Sequence, residues 1–391
     1  MNNKRNILFV ASWLPNRTDA YIGDFILRHA TAIAPFANLK VLYIGKDDQL
    51  KNKKIDVQRQ QENGVDIIQI YYTEFHSPFK FINKIVSLYC YFQAFFMALK
   101  VFKNENFKIE LVHCNVLLKS GLIGWWLKTF QKIPYVITEH WSIFMPEDGF
   151  YEKQNFLFKF IAKKIANKAD AILPVSHSLK KALIHHGFKP NKYEVIPNVV
   201  DTSVYFYKTK KDTFNFKFFH ISSLLPSKNV AELIRSFLEV KKKYPQAELH
   251  IIGGEPSDLS LFEKYFNNSS IKFYGTMLYQ KIPPLLQEAD CFVLFSKFET
   301  FSCVVSESLC MGIPCISSKI GGPIDLINTT NGCLVESENK IQLAESMKWM
   351  IENSNSFDRK KIAEAAAKIY SYNTVGQRFA DIYEEILGPV K

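Results

Sequence analysis

Residues 295–327 read FSKFETFSCVVSESLCMGIPCISSKIGGPIDLI and are the most informative stretch of the chain. They begin at the end of the short apolar run CFVLFS, which is typical of a buried strand. Residues 297–301 indicate a turn, and a helix follows it. Gly312 and Pro314 mark the end of this helix, because Gly is common just after a helix and Pro cannot continue one. Ser302 is the predicted N-cap. The stretch therefore predicts a strand, a turn and a helix in direct succession.

Two glutamates in this stretch need partners. Glu299 lies in the turn, whereas Glu307 lies more than one turn inside the helix, among apolar residues. A carboxylate in such surroundings must be satisfied. One alternative is a salt bridge in a packed interface. The other is a ligand: a carboxylate accepts hydrogen bonds from vicinal hydroxyls, so Glu307 suits a ribose and Glu299 a sugar ring. The helix N-terminus between them suits a diphosphate.

Similar apolar runs recur throughout the chain and predict the fold class. They are ILFVAS at 7, LKVLYIG at 39, VDIIQIYY at 65, IELVHCN at 109, PYVITEH at 134, AILPVS at 171, FKFFHIS at 216, AELHIIGG at 247, IKFYG at 271, CFVLFS at 291 and PCISS at 314. Strands this apolar are buried on both faces, as in parallel sheets covered by helices. We predict an α/β protein of two Rossmann-like, doubly wound domains that face each other across a deep cleft. Ligands are expected beyond the carboxyl ends of the strands.

The length of 391 residues exceeds what a single core supports. We predict a first domain at 1–201, a linker at 202–213, where the chain becomes polar and aperiodic, and a second domain at 214–370. Residues 371–391 predict an amphipathic helix that packs back on the first domain. Its apolar face consists of Val375, Phe379, Ile382, Tyr383 and Ile386.

The spacing of the two glutamates matches a known family. Seven residues separate Glu299 from Glu307, and GIP at 312–314 and GG at 321–322 follow. This pattern resembles the E-x7-E element of the retaining glycosyltransferases of family four (glycosyl transferases group 1), and the resemblance extends over nearly the whole chain. It implies the GT-B fold, with an acceptor-binding first domain and a second domain that binds a nucleotide sugar.

A second match lies at residues 221–237, ISSLLPSKNVAELIRSF. It resembles the family's strand-loop-helix element that ends in a donor-phosphate lysine, which is Lys228 here. An ammonium at this point can neutralise a diphosphate leaving group, although a lone loop lysine is more often simply solvated. Many relatives carry an arginine five residues earlier, where this chain has Ser223. Either Lys228 bears the phosphate charge with help from the backbone, or another cation substitutes.

The first half contains two further matches. His140 in VITEHWS follows a strand where the family has a histidine near the donor sugar, and a structural hydrogen-bonding histidine is the alternative. Gly23 in YIGDFILRH resembles the family's first glycine-bearing loop, which approaches the diphosphate; a turn glycine is the plain alternative. The stretch VIPNVVD at 195–201 matches an inter-domain motif, for structural reasons.

The resemblance assigns roles to these residues. It implies His140 and Glu299 as catalytic residues that hold the sugar. The implied donor-binding set is Gly23, Lys228, Thr300, Phe301, Ser302, Cys303 and Glu307. No D-x-D pair lies in a suitable loop, so we predict no metal and no cofactor apart from the nucleotide-sugar co-substrate. No side chain suits a covalent nucleophile, so we predict attack on the same face, with the departing phosphate accepting the proton.

Composition restricts the classes of binding partner that we expect. The net charge of +11 predicts attraction to something anionic. No basic block and no nucleic-acid motif occurs, so we predict no nucleic-acid partner. Seven cysteines without C-x-x-C pairs or histidines at zinc spacing predict reduced thiols in a cytoplasmic protein. The apolar run at the N-terminus is short and lacks a cleavage site, so we interpret it as a strand rather than a signal peptide.

A membrane surface is the predicted anionic partner. Residues 75–108 are rich in aromatic residues and lysine, and 151–168 are similar. The 15 uncharged residues from Ile85 to Leu99 are too few for a membrane-spanning helix, which needs about 20. We predict peripheral binding at the inner face of the plasma membrane. A buried amphipathic helix of the first domain is the alternative.

The expected function is the transfer of a sugar from a nucleotide donor to a lipid-linked glycan of a cell-surface polysaccharide pathway. The acceptor rests on analogy alone. Alternatives on the same fold are a nucleotide-sugar epimerase, which the E-x7-E element and its following Gly-Gly disfavour, a glycogen-type polymerase and a non-catalytic nucleotide-sugar-binding protein.

Overall fold

A computed structural model describes residues 4–50, 55–73, 77–210 and 213–389. Residues 75–76 of the predicted membrane segment and 211–212 of the predicted linker lie outside the described residues. Two α/β domains each contain one sheet. The first sheet consists of β1 (Asn6–Ala11), β2 (Asn38–Lys46), β3 (Ile55–Glu62), β4 (Val65–Tyr72), β5 (Leu111–Asn115), β6 (Tyr135–Glu139) and β7 (Ala171–Pro174). The second consists of β8 (Phe216–Ile221), β9 (Ala247–Ile252), β10 (Ile271–Phe273), β11 (Cys291–Leu294), β12 (Cys315–Ser318) and β13 (Gly332–Val335).

The strand orders are β3-β4-β2-β1-β5-β6-β7 and β10-β9-β8-β11-β12-β13. All strand pairs are parallel except that of β3 with β4. Each domain thus has the doubly wound order in which the chain direction across the sheet reverses beside its first strand. The predicted fold class is confirmed, and all eleven predicted strands are present. Sequence analysis missed β3, an edge strand of mostly exposed polar residues, and β13, which has four residues.

Helices cover both faces of the sheets. In the first domain they are α1 (Asp24–Ile33), α2 (Lys80–Asn104), α3 (Ser120–Gln131), α4 (Phe156–Lys168) and α5 (His177–His185). The remaining helices are α6 (Val230–Lys243), α7 (Pro256–Leu259), α8 (Ile282–Leu286), α9 (Cys303–Cys310), α10 (Pro323–Leu326), α11 (Lys340–Asn353), α12 (Arg359–Tyr370) and α13 (Tyr372–Leu387).

The last helix, α13, follows the second domain in sequence but packs on α1 of the first. An added Cβ on Gly376 would lie 2.0 Å from the Ala32 carbonyl oxygen, so the two helices approach at backbone distance. Tyr383 also shares a hydrogen bond of 2.5 Å with His113 on β5. Four of the five residues of the predicted apolar face are buried, and Ile386 is half-buried. The C-terminal helix α13 therefore packs on the first domain, through α1 and β5.

Helix α2 has two apolar faces. Residues 91, 94, 95, 98 and 102 are buried against the first sheet, at the spacing of one helical stripe. Large apolar side chains on another face are exposed, namely Phe81, Ile82, Ile85, Leu88, Tyr89, Phe96 and Met97. Among the described residues, α2 is the one helix that has the length and composition of a membrane span, and 28% of its apolar stretch is buried. It is longer than the uncharged stretch alone suggested, but part of it belongs to the core.

Candidate functional site

The reversal points of the two sheets bring the predicted residues together. The loop after β11 carries Glu299, and the loop after β8 carries Lys228 in a short 3₁₀ turn. The two loops are joined by a backbone hydrogen bond of 2.7 Å from the Lys297 amide to the Ser227 carbonyl. Ligands of doubly wound sheets bind where such loops diverge. The second domain therefore builds its half of the site from these two loops.

A glycine pair fixes the turn that contains Glu299. An added Cβ on Gly321 would lie 1.7 Å from the Glu299 carbonyl oxygen, and one on Gly322 would lie 2.3 Å from the Phe301 Cα. The Gly322 amide donates to the same Glu299 carbonyl at 3.1 Å. Only glycine permits this approach, and Gly321 also has a φ of 38°. The Gly-Gly pair of the sequence motif therefore holds the turn before α9 in place.

Lys228 and Glu299 form an ion pair at this turn. The Lys228 Nζ donates to Glu299 Oε1 at 2.6 Å, and the Ser296 hydroxyl donates to the same oxygen at 2.8 Å. The side chains are 23% and 13% exposed, so both remain partly accessible to solvent. The pair presents one cation and one carboxylate beside the N-terminus of α9.

The backbone at the N-terminus of α9 has amide N–H groups that are not used in hydrogen bonds within the described chain. Within the described chain, no hydrogen-bond acceptor lies opposite the amide N–H groups of Thr300, Phe301 and Ser302. Such groups and the positive end of a helix dipole favour an anion. The Phe301 side chain itself is buried against Tyr370, so its part in the site is limited to its backbone.

Ser302 departs from its prediction. It occupies the N-cap position of α9, but its hydroxyl makes no capping hydrogen bond. Its φ is 83° and its ψ is 87°, whereas a capping serine needs extended backbone angles. The turn held by Gly321 and Gly322 imposes these angles. The predicted side-chain cap is therefore wrong, and the Ser302 hydroxyl is buried without a partner among the described residues.

Glu307 is paired with a residue that sequence analysis missed. Arg28 on α1 donates to Glu307 Oε1 at 2.8 Å, and the Tyr279 hydroxyl lies 3.3 Å from the same oxygen. Burial raises the pKa of the Glu307 carboxyl, and the Arg28 guanidinium opposes this rise. The structure thus contains the interface salt bridge that was one of the two alternatives for Glu307. No sequence signal pointed to Arg28, because its partner lies 279 positions away.

Gly23 precedes Arg28 at the start of α1. It has a φ of 73°, and an added Cβ would lie 2.5 Å from the Trp13 backbone. Its close approach in this structure is to the start of the loop that follows β1, as expected of a turn glycine, and its part in donor binding stays a prediction. The contact sets the starting point of α1 and so places Arg28 at the domain interface.

His140 follows β6 and is buried in the first domain. Neither ring nitrogen has a hydrogen-bond partner within the described residues. Burial holds the pKa of His140 well below its usual range, so the ring is neutral near pH 7. Its neighbours are the rings of Phe25 at 4.8 Å and His29 at 5.3 Å. A neutral imidazole offers one donor and one acceptor to a ligand.

Glu139 was not selected from the sequence, although it ends a buried strand and precedes His140. Its carboxylate is fully buried and accepts backbone hydrogen bonds from Leu117 at 2.7 Å, His140 at 2.9 Å and Trp141 at 2.8 Å. Burial raises the pKa of Glu139 to about 7, against the lowering effect of those bonds. The polar run TEH at the end of an apolar strand was the available signal. Glu139 shapes the loop that positions His140.

Asn198 connects the two halves of the site. Its side chain lies beside the His140 ring, and its Nδ2 lies 3.4 Å from the Cys303 Sγ at the start of α9. The Asn198 Oδ1 is buried without a partner in the described chain, as are the Ser302 hydroxyl and both nitrogens of His140. A buried polar atom without a partner costs about 1–3 kcal/mol. The Asn198 and His140 side chains lie against each other in the first domain, and the Ser302 hydroxyl belongs to the second domain.

The domains also touch on a second side of the interface. The His177 amide at the start of α5 donates to the Asp325 carboxylate at 2.6 Å, and the Ser178 hydroxyl donates to the Gly321 carbonyl at 2.8 Å. The glycine that fixes the Glu299 turn therefore also contacts the first domain. The geometry of the turn depends on how the two domains meet.

Comparisons with solved structures show which fold class this is. Sucrose-phosphate synthase from Thermosynechococcus elongatus superposes with a TM-score of 0.73 at 15% identity and covers 98% of this chain and 99% of its own. HepE from Anabaena, solved in complex with UDP, superposes with a TM-score of 0.71 at 18% identity, over 97% of this chain and all of its own. The fold is that of the GT-B glycosyltransferases.

Sequence comparisons give the family. Residues 201–369 match Glycosyl transferases group 1, and residues 55–204 match Glycosyltransferase Family 4. A Campylobacter jejuni relative, N,N'-diacetylbacillosaminyl-diphospho-undecaprenol alpha-1,3-N-acetylgalactosaminyltransferase, is 26% identical over 79% of this chain and 85% of its own. An uncharacterized glycosyltransferase of Methanocaldococcus jannaschii is 25% identical over 74% of this chain and 80% of its own. Together the two models cover residues 55–369 and place both domains of the chain among the glycosyltransferases.

Proposed function

We propose that the protein is a retaining, metal-independent hexosyltransferase that moves a sugar from a nucleotide-diphosphate sugar to a lipid-linked glycan. One observation carries this proposal: the N-terminus of α9 combines open backbone amides with the Lys228–Glu299 pair, and Glu307 lies one turn further on. Neutral His140 lies across the domain interface, linked to this helix through Asn198. A nucleotide sugar has three parts, a ribose, a diphosphate and a hexose. Each part needs hydrogen-bonding or charged groups of the protein, in the same order along the site.

In the proposed complex the diphosphate binds the amides of residues 300–303 and the ammonium of Lys228. Glu307 accepts hydrogen bonds from the ribose hydroxyls. Glu299 and His140 bind hydroxyls of the sugar, and the low pKa of His140 keeps its ring neutral and able to do so. UDP is the first nucleotide to test, because HepE has been solved with UDP and with UDP-glucose.

The proposed reaction exchanges one bond for another at the anomeric carbon. The bond from this carbon to the diphosphate oxygen breaks, and the acceptor oxygen bonds on the same face of the sugar. The departing phosphate oxygen takes the proton of the acceptor hydroxyl. Lys228 and the helix N-terminus stabilise the negative charge that grows on the leaving group, which is commonly a large contribution in such reactions. No metal is part of this proposal.

We propose a membrane-bound acceptor and a cytoplasmic protein that lies on the inner face of the plasma membrane. Support comes from α2 and α4, whose exposed apolar side chains are accompanied by lysines. A cavity of about 230 Å³ beside α2 is lined by apolar, hydroxyl and amide side chains together with Lys46, Lys84 and Lys119. The C. jejuni relative is named for a diphospho-undecaprenol substrate.

The first test is a thermal-shift screen with UDP, GDP, ADP and CMP, and with their common sugars, on the wild type and on Glu307→Ala and Lys228→Ala. A ligand at 100 times its Kd stabilises the native state by about 2.7 kcal/mol. We expect one nucleotide to raise the melting temperature selectively, and both variants to lose this effect. Transfer to a lipid-linked acceptor and the anomeric configuration of the product are then measured. An inverted product would refute the retaining mechanism, and binding without transfer or hydrolysis would refute catalysis.

A further inference from the structure

Arg28 is a buried cation at the domain interface to which the proposed donor site gives no role. Its side chain is 11% exposed. Besides Glu307, it contacts the Asp24 carboxylate, with Nε at 2.7 Å, and the Val199 carbonyl, with Nη1 at 3.3 Å. The guanidinium lies 5.0 Å from the centre of the Tyr279 ring. Asp24 and Val199 belong to the first domain, whereas Glu307 and Tyr279 belong to the second. An always-charged group with five N–H donors is therefore held between the two domains.

The position of Arg28 relative to α9 follows from helix geometry. Cys303 and Glu307 are four residues apart, so both lie on the same face of α9. Asn198 contacts Cys303, and the next residue, Val199, contacts Arg28. The guanidinium therefore lies along the face that runs from Glu307 toward the open amides at the N-terminus. One helical turn, about 5.4 Å, separates these two points.

The charges of the site do not yet suit a diphosphate. Lys228 is neutralised by Glu299, and Arg28 is shared between Glu307 and Asp24. Two cations thus face three carboxylates, and a diphosphate would add further negative charge. Ser223, in the loop after β8, contributes none. A ribose, by contrast, is neutral and its hydroxyls can donate to Glu307 in place of the Arg28 guanidinium.

We propose that Arg28 is the second diphosphate-binding cation of the donor site and that the first domain supplies it. Ribose hydroxyls bind Glu307, and the guanidinium turns from that carboxylate to the phosphate oxygens of the same nucleotide. The planar fork of arginine suits bidentate binding of phosphate. Nucleotide binding to the second domain is thereby coupled to the position of the first. The inference rests on the proposed function of the cleft.

The test compares UDP with uridine, which lacks both phosphates, by calorimetry on the wild type, Arg28→Met and Arg28→Lys. Because a hydrogen bond to a charged group contributes about 1.5–3 kcal/mol, we expect Arg28→Met to bind UDP about 10- to 100-fold more weakly. Its affinity for uridine should fall much less. Arg28→Lys should recover part of the UDP affinity, since it keeps the charge but not the fork. The matched control is Arg59→Met, which removes an arginine paired with two carboxylates, Asp66 and Glu105, at the outer edge of the first sheet.

Other outcomes would overturn the inference. Equal losses for UDP and uridine in Arg28→Met would mean that Arg28 only supports the interface. Tighter binding of both ligands would mean that it only competes for Glu307. If the methionine variant does not fold, the lysine variant decides by the same ratio of UDP to uridine affinity. A wild type that binds none of UDP, GDP and ADP would refute the proposed function itself, whereas an unchanged ratio in the variants would refute only the role of Arg28.

Discussion

Lys228 and Glu299 belong to different loops of the second domain, yet their charged atoms lie 2.6 Å apart beside the N-terminus of α9. In this arrangement the carboxylate orients the ammonium, and the Ser296 hydroxyl orients the carboxylate. Both charged groups remain partly accessible to solvent. The pair is therefore held in place without a substrate, which in the proposed function lowers the cost of ordering the site during the reaction.

Substitutions of Lys228 and Glu299 should have different effects on kcat and on UDP affinity. In the proposed function Lys228 stabilises the negative charge of the leaving group. We therefore expect Lys228→Met to lower kcat about 100-fold or more and to weaken UDP binding. Glu299→Gln keeps the shape and a hydrogen bond, so we expect it to lower kcat with little change in UDP affinity. Steady-state kinetics and calorimetry measure both quantities. Lys297→Met, which removes an exposed ion pair with Glu338 from the same turn, is the control. Similar losses in the control would contradict a specific role for Lys228.

Gly321 should tolerate no side chain. Its added Cβ would lie 1.7 Å from the Glu299 carbonyl oxygen, and its φ of 38° is unfavourable for alanine. We expect Gly321→Ala to lower the free energy of unfolding by about 1–3 kcal/mol and to weaken nucleotide binding, since the turn must move. Gly64→Ala is the matched control, because Gly64 has a φ of 78° but open space around its Cβ position. Thermal unfolding and UDP titration of both variants decide the matter. Equal effects would attribute the loss to the positive φ alone.

The sequence predicted what depends on local pattern. Eleven strands were predicted from apolar runs. The spacing of Glu299, Glu307 and the glycine pair predicted one half of the candidate site. Local sequence pattern does not predict contacts between distant segments. Arg28 was not predicted because nothing near it in sequence marks an interface residue and because its partner, Glu307, belongs to the other domain. Ser302 was assigned as a capping side chain because the local pattern does not reveal the backbone angles that the glycine pair imposes.

The edge strand β3 shows a different limit. Its sequence, IDVQRQQE, lacks the apolar runs used to find the other strands, because it borders the sheet and most of its side chains are exposed. Arg59 on β3 and Lys40 on β2 surround Asp66 and Glu105 with positive charge. These long-range ion pairs, together with pairing to β4, account for a strand that hydrophobic patterning cannot detect. A hydrophobic pattern indicates which side chains are buried, and β3 has few buried side chains.

Glu139 should make stability depend on pH. The folded protein holds the proton of Glu139 up to a pH of about 7, whereas an ordinary glutamate releases it near 4.5. The free energy of unfolding therefore falls as the pH rises between these values, by an amount on the order of 3 kcal/mol. Glu139→Gln should lack this slope. It should also be less stable than the wild type at pH 5, because the amide nitrogen that replaces Oε2 cannot accept from the Leu117 N–H.

Unfolding curves at pH 5 and pH 8 test this prediction. We expect the stability deficit of Glu139→Gln to shrink at the higher pH, where the wild type carries a buried charge. The exposed substitution Glu345→Gln should change stability by no more than about 0.5 kcal/mol at either pH. A deficit that stays constant between pH 5 and pH 8 would show that Glu139 remains ionised throughout.

The exposed face of α2 should bind anionic membranes. Phe81, Ile85 and Leu88 are between 47% and 73% exposed, and α2 contains four lysines and no acidic residue. Insertion of each side chain gains about 1.5–3 kcal/mol, and each nearby lysine adds about 1 kcal/mol at an anionic surface. We expect sedimentation with phosphatidylglycerol vesicles that weakens with salt, and the triple serine variant at these positions should remain in the supernatant. A double variant of the second domain, Leu261→Ser with Phe266→Ser, removes comparably exposed apolar side chains and should sediment like the wild type. If the wild type ignores anionic vesicles, or if both variants lose binding equally, α2 is not the membrane-binding face.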